Sequence, residues 1–213
     1  MSEFNIHCVD CTRLASHLAH VRERFNGYHG LPVAPFGDLQ ARLLIVGLAP
    51  GMHGANRSGR PFTGDYAGIL LYQTLYKHGL ASQAESVSRD DGLVLCDCRI
   101  TNAVKCLPPE NKPTTSEIRA CNRYLQAELE GMPKNALILA LGGVAHKSVL
   151  QAFKLKQAEF GFAHAAEHRL PNGFILLDSY HCSRYNTQTR RLTPAMFDSV
   201  VARARELLLT RPS

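Results

Sequence analysis

The sequence lacks several features that would place the protein in a membrane or outside the cell. No apolar run approaches the length that a membrane-spanning helix needs. The first residues, MSEFNIHC, do not show the basic-then-apolar pattern of a signal peptide. Internal repeats and low-complexity tracts are also missing. We therefore expect a soluble cytoplasmic protein without membrane contact, which folds as a single domain over residues 1–213.

Acidic residues are in the minority, with 18 Asp and Glu against 24 Lys and Arg, which gives a formal net charge of +6. Basic side chains gain affinity for nucleic acids because they release counterions from the phosphates. The excess therefore fits a polyanionic partner. A basic enzyme with no such partner would have the same composition.

The seven cysteines are odd in number, and without a secretion signal a disulfide framework is not expected. Cys8 and Cys11 form a Cys-x-x-Cys pair, and fourteen residues separate Cys106 from Cys121. Together these thiols could form a four-sulfur site, which suits either a [4Fe–4S] cluster or tetrahedral zinc. Plain burial of the thiols without a metal is the alternative.

The other cysteines are expected to bind no metal. Cys96 and Cys98 are two apart on a predicted strand, so they should face the same side and pack. Cys182 is also interpreted as a non-ligand.

Apolar segments alternate with amphipathic segments along the chain, which indicates an α/β fold. Strands are predicted at residues 41–46, 93–105 (one bent strand or a pair), 135–143 and 173–181. Helices are predicted at residues 12–25, 66–79, 114–129, 143–153 and 193–209. Thr114 and Glu117 have the spacing of a capping box. We expect a three-layer α/β/α sandwich with a central, mainly parallel four-stranded sheet.

A long Gly-rich loop, GLAPGMHGANRSGRPFTGD, spans residues 47–65 and holds five Gly, two Pro and two Arg. A loop this long between a strand and a helix is usually functional or disordered. Two other polar loops, at residues 106–113 and 181–193, also follow predicted strands. Ligands of such sheets bind beyond the carboxyl ends of the strands, so we expect the three loops to converge on one site.

A series of motifs resembles the uracil-DNA glycosylase superfamily, and most closely its iron–sulfur type 5 members. The motifs are the Cys-x-x-Cys at residues 8–11, GLAPGMHGANRSGRPFTGD, ITNAVKCLPPENKPT followed by Cys121, LGGVAH and SYHCSRYNTQTRRLT. They cover nearly the whole chain. The related type 4 enzymes carry an acidic residue after the first Gly of the opening loop. Leu48 stands at that position here, so the resemblance favours type 5.

The resemblance implies a monofunctional glycosylase of base-excision repair, which hydrolyses the N-glycosidic bond of uracil and of other deaminated or damaged bases in DNA. It implies that Cys8, Cys11, Cys106 and Cys121 ligate a [4Fe–4S] cluster. The partner would be damaged DNA, and we expect a monomer associated with the nucleoid. The alternatives are a non-catalytic iron–sulfur nucleic-acid-binding protein on the same fold and a zinc-dependent hydrolase of free nucleotides.

The resemblance also implies roles for individual residues. Asp65 would orient the attacking water or stabilise positive charge on the sugar, and His181 would donate to the base as negative charge develops. Phe62 would stack on the base. Further substrate contacts are expected from Gly47, Leu48, Ala49, Asn102 and Asn111.

Each of these residues has a structural alternative. Asp65 precedes a predicted helix and could be its N-cap, and Phe62 could be a core anchor. His181 could be a structural histidine. Asn102 and Asn111 are rivals for reading the base edge, and either could instead brace a turn.

Cationic and polar residues near the loops would hold the DNA backbone. DNA contacts are assigned to Arg57, Arg60, Arg184, Tyr185 and Asn186, and Tyr185 or a neighbour is the candidate wedge for the gap left by the flipped base. The loops are also flanked by Lys105, Lys112, Arg190 and Arg191. No candidate lysine for a Schiff base stands in the catalytic motifs, so lyase activity is not expected.

Overall fold

The computed structural model describes residues 4–210, through which a mixed six-stranded sheet runs. The strands are β1 (Phe36–Gly37), β2 (Leu43–Gly47), β3 (Cys98–Asn102), β4 (Leu137–Leu141), β5 (Glu167–Arg169) and β6 (Ile175–Ser179). The α-helices are α1 (Thr12–Arg24), α2 (Ala55–Ser58), α3 (Tyr66–Lys77), α4 (Thr115–Gly131), α5 (Gly143–Ala152), α6 (Arg184–Gln188) and α7 (Pro194–Leu209).

The central strands are apolar on both faces because helices cover both sides of the sheet. In β2, Leu43 and Ile45 pack into the core shared with α3 and α7, and Leu44 and Val46 pack into the core shared with α4 and α5. Such continuous apolar runs are typical of parallel strands buried between two helical layers. The predicted three-layer sandwich is confirmed.

The strand order is β1-β3-β2-β4-β6-β5, in which β3, β2, β4 and β6 are parallel and β1 and β5 pair antiparallel at the two edges. The prediction of four strands was wrong, because the sheet has six. The missed strands, β1 and β5, are two and three residues long. Segments this short do not show a period-two pattern in the sequence.

The predicted strand at residues 93–105 is shorter in the structure. Leu95 makes an isolated bridge to Ala81, and the regular strand begins at Cys98. Asp97 lies between them with a φ of 52°, which breaks the alternation of side chains. As a result Cys96 is exposed while Cys98 is buried, so the prediction that both pack was wrong for Cys96.

The predicted capping box of α4 is confirmed, and it also fastens α1 to the rest of the fold. The Thr114 side chain accepts a hydrogen bond from the Glu117 N–H at 3.3 Å, and the Glu117 carboxylate accepts one from the Thr114 N–H at 2.7 Å. The same carboxylate pairs with Arg13 of α1 at 2.7 Å. No helix within residues 4–210 is long and apolar enough to cross a membrane.

Candidate active site

The carboxyl ends of the four parallel strands meet at a single cleft of about 560 Å³. All the loops that follow these strands contribute to its walls, as the topology of the sheet requires. The cleft is lined by Leu48, Ala49, Gly51, Phe62, Asp65, Tyr66, Ala67, Asn102, Asn111, Leu141, Gly142, Gly143, Val144, His181, Ser183, Arg184 and Tyr185. The structure therefore brings together Phe62, Asp65, Asn102 and His181, which come from distant segments of the chain.

Asp65 stands at the N-cap position of α3, but among the described residues its side chain makes no capping bond to that helix. The carboxylate turns back onto the Gly-rich loop, where Oδ2 accepts a hydrogen bond from the Ala55 N–H at 3.3 Å. A Cβ at Gly51 would come within 2.6 Å of Oδ1, and one at Gly54 would overlap the carboxylate. The two glycines leave the space that this side chain occupies.

Burial raises the pKa of Asp65, although the Ala55 N–H and the charges of Arg57 and His53 act in the opposite direction. A partly desolvated carboxylate is a stronger base and is suited to holding or polarising a water molecule.

Phe62 is only 5% exposed and has a φ of 57°, a left-handed conformation that is uncommon for a bulky residue. Its ring stacks on His181, with the centroids 5.9 Å apart and the planes at 25°. A Cβ at Gly47 would lie 2.7 Å from the ring, so glycine at that position allows the close approach. Phe62 is both part of the core and part of the cleft wall.

His181 lies two residues beyond β6, where the following loop leads into α6. Burial lowers the pKa of its imidazole to about 4, so the ring is neutral near pH 7. Its Nδ1 has no hydrogen-bond partner among residues 4–210. The His181 carbonyl accepts a hydrogen bond from the Asn186 side chain at 2.8 Å, and α6 is capped by Ser183, so the loop is held on both sides.

Both candidate asparagines line the cleft, but they differ in burial. Asn102 is 3% exposed, and its Oδ1 has no hydrogen-bond partner in the part of the chain that the structure describes. A buried amide oxygen that lines a cleft and makes no hydrogen bond there is suited to a ligand. Asn111 is exposed and has a φ of 57°, as in a turn. These observations favour Asn102 for reading the base edge.

Sequence reasoning missed one wall of the cleft. Gly142, Gly143 and Val144 line it at the start of α5, and Gly142 has a φ of 95°. The N-terminal N–H groups of a helix lack intrahelical partners and favour negative charge. The motif LGGVAH carried this signal, because a Gly pair between a strand and a helix marks a close backbone approach. Tyr66 and Ser183 were also missed.

The DNA-binding assignments divide into exposed and buried residues. Arg57, Arg184 and Tyr185 are exposed near the cleft, with Arg184 over the Tyr66 ring at 5.0 Å. The assignment of Arg60 was wrong, because it is 3% exposed and its guanidinium pairs with Asp91 at 2.6 Å.

The structure also places the five other polar residues assigned near the loops. Lys105 does not flank the loops as a free cation, because it is 1% exposed and pairs with Glu128 at 2.6 Å. Asn186 is half-buried and braces the His181 carbonyl. Lys112 is exposed, and Arg190 and Arg191 are exposed beyond α6.

Comparison with known proteins connects this site to a family. A family model described as the uracil DNA glycosylase superfamily matches residues 34–205. The chain belongs to the uracil DNA glycosylase superfamily. The type-5 uracil-DNA glycosylase of Thermus thermophilus is 46% identical over 94% of this chain and 93% of that protein. The type-5 enzyme of Pyrobaculum aerophilum is 40% identical over 93% of this chain and 88% of that protein.

Type-4 members of the superfamily match a smaller part of the chain. The type-4 uracil-DNA glycosylase of Thermotoga maritima is 36% identical over 51% of this chain and 49% of that protein. The crystal structure of Pedobacter heparinus SMUG2 aligns with a TM-score of 0.52 at 14% identity, over 92% of this chain and 85% of that chain, and supports the fold alone. The wider match to type-5 relatives agrees with Leu48 at the position where type-4 enzymes are expected to be acidic.

The predicted ligand cysteines meet at a second small depression, away from the cleft. Cys8, Cys11, Cys106 and Cys121 all line it, between α1, the loop after β3 and α4. The Lys105 N–H lies 3.3 Å from the Cys121 sulfur, and the Arg123 guanidinium lies 3.7 Å from the Cys8 sulfur. Hydrogen bonds to sulfur stabilise thiolate ligands. Cys182 is buried in the core that α7 covers and does not line this depression.

The residues at this depression fit the predicted group, because four thiols from three parts of the chain line it together. Four cysteine sulfurs are a donor set for a [4Fe–4S] cluster and equally for a structural zinc ion.

Proposed function

We propose that this chain excises uracil from DNA by hydrolysing the N-glycosidic bond, as the first step of base-excision repair. The observation that carries the proposal is the cleft, where a buried carboxylate, a neutral imidazole, an amide oxygen with no partner among residues 4–210 and an aromatic face converge. The type-5 relatives, which are named uracil-DNA glycosylases, support the same activity.

The target base enters the cleft after it has been turned out of the duplex, because its glycosidic bond is not accessible in the stack. The Phe62 ring, fixed by its stacking on His181, provides a face for the base. The Asn102 amide pairs with the edge of the uracil. The backbone at Gly47, Leu48 and Ala49 approaches the base carbonyls closely, which glycine at position 47 permits.

Bond cleavage leaves positive charge on the sugar and negative charge on the departing base. The Asp65 carboxylate stabilises the sugar cation and orients the water that attacks it. The neutral imidazole of His181 donates a hydrogen bond to the base oxygen as charge develops there, and the N-terminus of α5 adds a favourable field.

Water is the proposed nucleophile, which makes the enzyme monofunctional. A lyase would need an amine that attacks the sugar. None of the described residues that line the cleft is a lysine, and Lys105, the nearest in sequence to Asn102, is buried against Glu128.

The substrate range is proposed to extend beyond uracil. Leu48 lines the cleft where a charged side chain would impose stricter polar pairing, so the pocket accommodates other altered bases. Hydroxymethyluracil, ethenocytosine and hypoxanthine are the candidates.

We further propose that Cys8, Cys11, Cys106 and Cys121 hold a [4Fe–4S] cluster. When bound, it cross-links the N-terminal segment to α4 and the loop after β3. Arg57, Arg184 and Tyr185 are the proposed DNA contacts at the rim of the cleft, and Tyr185 is 71% exposed. A monomer in the cytoplasm, close to the nucleoid, fits these roles.

A base-release assay tests the proposal. A labelled duplex with one uracil is incubated with the enzyme and then with hot alkali, which breaks the strand at an abasic site. We expect cleavage of this duplex and none of the matched cytosine duplex or of free deoxyuridine monophosphate. If the strand with uracil stays intact, the protein does not excise uracil and the alternative of a non-catalytic DNA binder is favoured. Release of uracil from the free nucleotide would indicate a nucleotide hydrolase.

The same assay separates the two asparagines. Asn102→Ala should lose most of the excision, while the matched variant Asn111→Ala should retain it. If Asn111→Ala loses excision and Asn102→Ala retains it, Asn111 is the residue that pairs with the base.

A further inference from the structure

A second group of polar side chains is buried behind the cleft, on the face of the sheet that α4 and α5 cover. Asp178 on β6 is fully buried, and His146 on α5 is 1% exposed. His168 on β5 lies beside them, with 17% of its side chain exposed. The proposed excision chemistry does not use any of these residues.

The three side chains are spaced like ligands of one ion. His146 Nδ1 and His168 Nε2 lie 2.9 Å and 3.3 Å from the same Asp178 Oδ2. The ligand atoms of the group all lie within 4.8 Å of one another. Tetrahedral zinc with bonds of about 2.0–2.1 Å to nitrogen and oxygen keeps neighbouring ligand atoms about 3.3 Å apart.

Two of these atoms are unsatisfied. Within the described part of the chain, neither His168 Nε2 nor Asp178 Oδ2 makes a hydrogen bond, although Oδ2 lies 3.3 Å from His168 Nε2 and 2.9 Å from His146 Nδ1. The bond of His146 Nδ1 goes to the other oxygen, Asp178 Oδ1, at 2.9 Å. Native proteins rarely leave buried polar atoms unpaired unless an ion or water satisfies them. The two atoms are therefore available to bind a ligand that approaches both.

The surroundings of His146 are those of a metal-bound histidine. Its Nε2 lies 2.9 Å from the Phe160 carbonyl oxygen and can donate a hydrogen to it. His146 Nδ1 donates its own hydrogen to Asp178 at 2.9 Å, and loss of that proton leaves the Nδ1 lone pair facing Asp178. Histidines that bind metals generally anchor their other nitrogen in this way.

We propose that His146, His168 and Asp178 bind a divalent transition-metal ion of the zinc class. Two imidazoles and one carboxylate favour such an ion over Mg²⁺ or Ca²⁺, which prefer oxygen ligands. The ion replaces the proton that His146 holds against Asp178, and this proton passes to solvent. The partly exposed edge of His168 provides the entry path.

The ion would join α5 to β5 and β6. Because the first residues of α5 form one wall of the cleft, the site would stiffen that wall from behind. The proposed metal site rests on His146, His168 and Asp178 alone, so it is independent of the proposed excision activity.

The test is a calorimetric titration of the chelator-treated protein with ZnCl₂, and with MgCl₂ for comparison. Iron content is measured before and after, so that zinc taken up by the cysteines is recognised. We expect one equivalent of zinc, no heat from magnesium and unchanged iron. His168→Ala should weaken zinc binding by more than roughly 100-fold, because losing even an outer partner of a ligand costs about 10–100-fold.

His78→Ala is the matched control, because His78 pairs with Asp198 at 2.9 Å but is not part of a three-ligand group among the described residues. It should bind zinc like the wild type. Wild-type protein that takes up no zinc, or His168→Ala protein that binds it equally well, would overturn the proposal. Should the variant not fold, wild-type crystals soaked in zinc decide the matter through the presence or absence of an anomalous peak among the three ligand atoms.

Discussion

At the scale of single residues, Asp65 combines a functional placement with a cost in stability. Its carboxylate is held against the Gly-rich loop rather than on α3, and burial raises its pKa. A raised carboxyl pKa means that the neutral form is favoured in the folded state. The stability that Asp65 contributes is therefore complete at low pH, where its carboxyl group is neutral. This stability is lost as the pH rises through the folded-state pKa of the group.

Asp65→Asn should therefore separate activity from stability. We expect excision to fall by at least about 100-fold, because the carboxylate is lost. The melting temperature should rise relative to the wild type near neutral pH, and the difference should shrink as the pH falls. Thermal unfolding at several pH values, together with single-turnover excision, measures both effects. A variant that keeps full activity would reduce Asp65 to a bracing residue.

The acid limb of the pH–rate profile should also come from Asp65. Excision should decline as the pH falls through the raised pKa of this carboxyl group, because the protonated form no longer stabilises positive charge. His181, with a pKa of about 4, should add no inflection near its ordinary value of 6.5. The profile of kcat/KM between roughly pH 4 and 9 tests this. A change of kcat/KM near pH 6.5 that disappears in His181→Ala would instead show that the reaction uses the charged form of the His181 imidazole.

His181→Ala should lower the rate of excision by about 10²–10³, the usual effect of removing one donor from a site of developing negative charge. The Phe62 ring also loses its stacking partner, so the affinity for DNA with uracil should be measured separately from the rate. A loss confined to affinity would leave His181 with a packing role only.

At the scale of the elements, the sequence reveals those that are long and regularly patterned. The helices beginning at Thr12, Tyr66 and Thr115 start where the apolar period and the caps predict. β1, β5 and the short helices α2 and α6 were missed, since two to five residues carry no period. The convergence of the loops followed from the parallel strands.

Besides the wall at the start of α5, the burial of individual cations was not evident from the sequence. Arg57 and Arg60 stand in the same polar loop, yet one is exposed and the other is enclosed with Asp91. The partner lies thirty-one residues away, and only the folded chain brings it near. Composition marks both residues as candidates for phosphate contact, and tertiary packing separates them.

This pair gives a direct test. Arg60→Ala should destabilise the fold by about 3–5 kcal/mol, because it leaves the Asp91 carboxylate buried without its partner. Arg57→Ala should leave stability nearly unchanged, weaken binding of DNA and lower the slope of log K against log salt by about 1. Chemical denaturation and salt-dependent binding measure the two effects. Equal stability losses in both variants would contradict the assignment.

At the scale of the whole molecule, the cysteine site joins a part of the chain that lies outside the superfamily match. That match begins at residue 34, whereas Cys8, Cys11 and all of α1 precede it. α1 packs through Leu14, Leu18 and Val21 against the region of Cys106 and Cys121. A cluster at this site would therefore fix the N-terminal segment to the shared fold.

Cys106→Ser should remove iron and brown colour and lower the soluble yield. Limited proteolysis should then cut between α1 and β1, because the cross-link that holds this segment is lost. Cys96→Ser is the control, since Cys96 is exposed and does not line the depression of the four proposed ligand cysteines, and it should retain its iron. Full iron content in the Cys106 variant would exclude it as a ligand.

The space around Asp65 has an evolutionary consequence. Any residue larger than glycine at position 54 would occupy the volume of the carboxylate, so selection should remove such changes for as long as the acid is needed. Once a lineage dispenses with the acid, position 54 becomes free to vary. Gly54 and Asp65 should therefore be inherited as a pair. A relative with a bulky residue at position 54 should lack the acid at position 65.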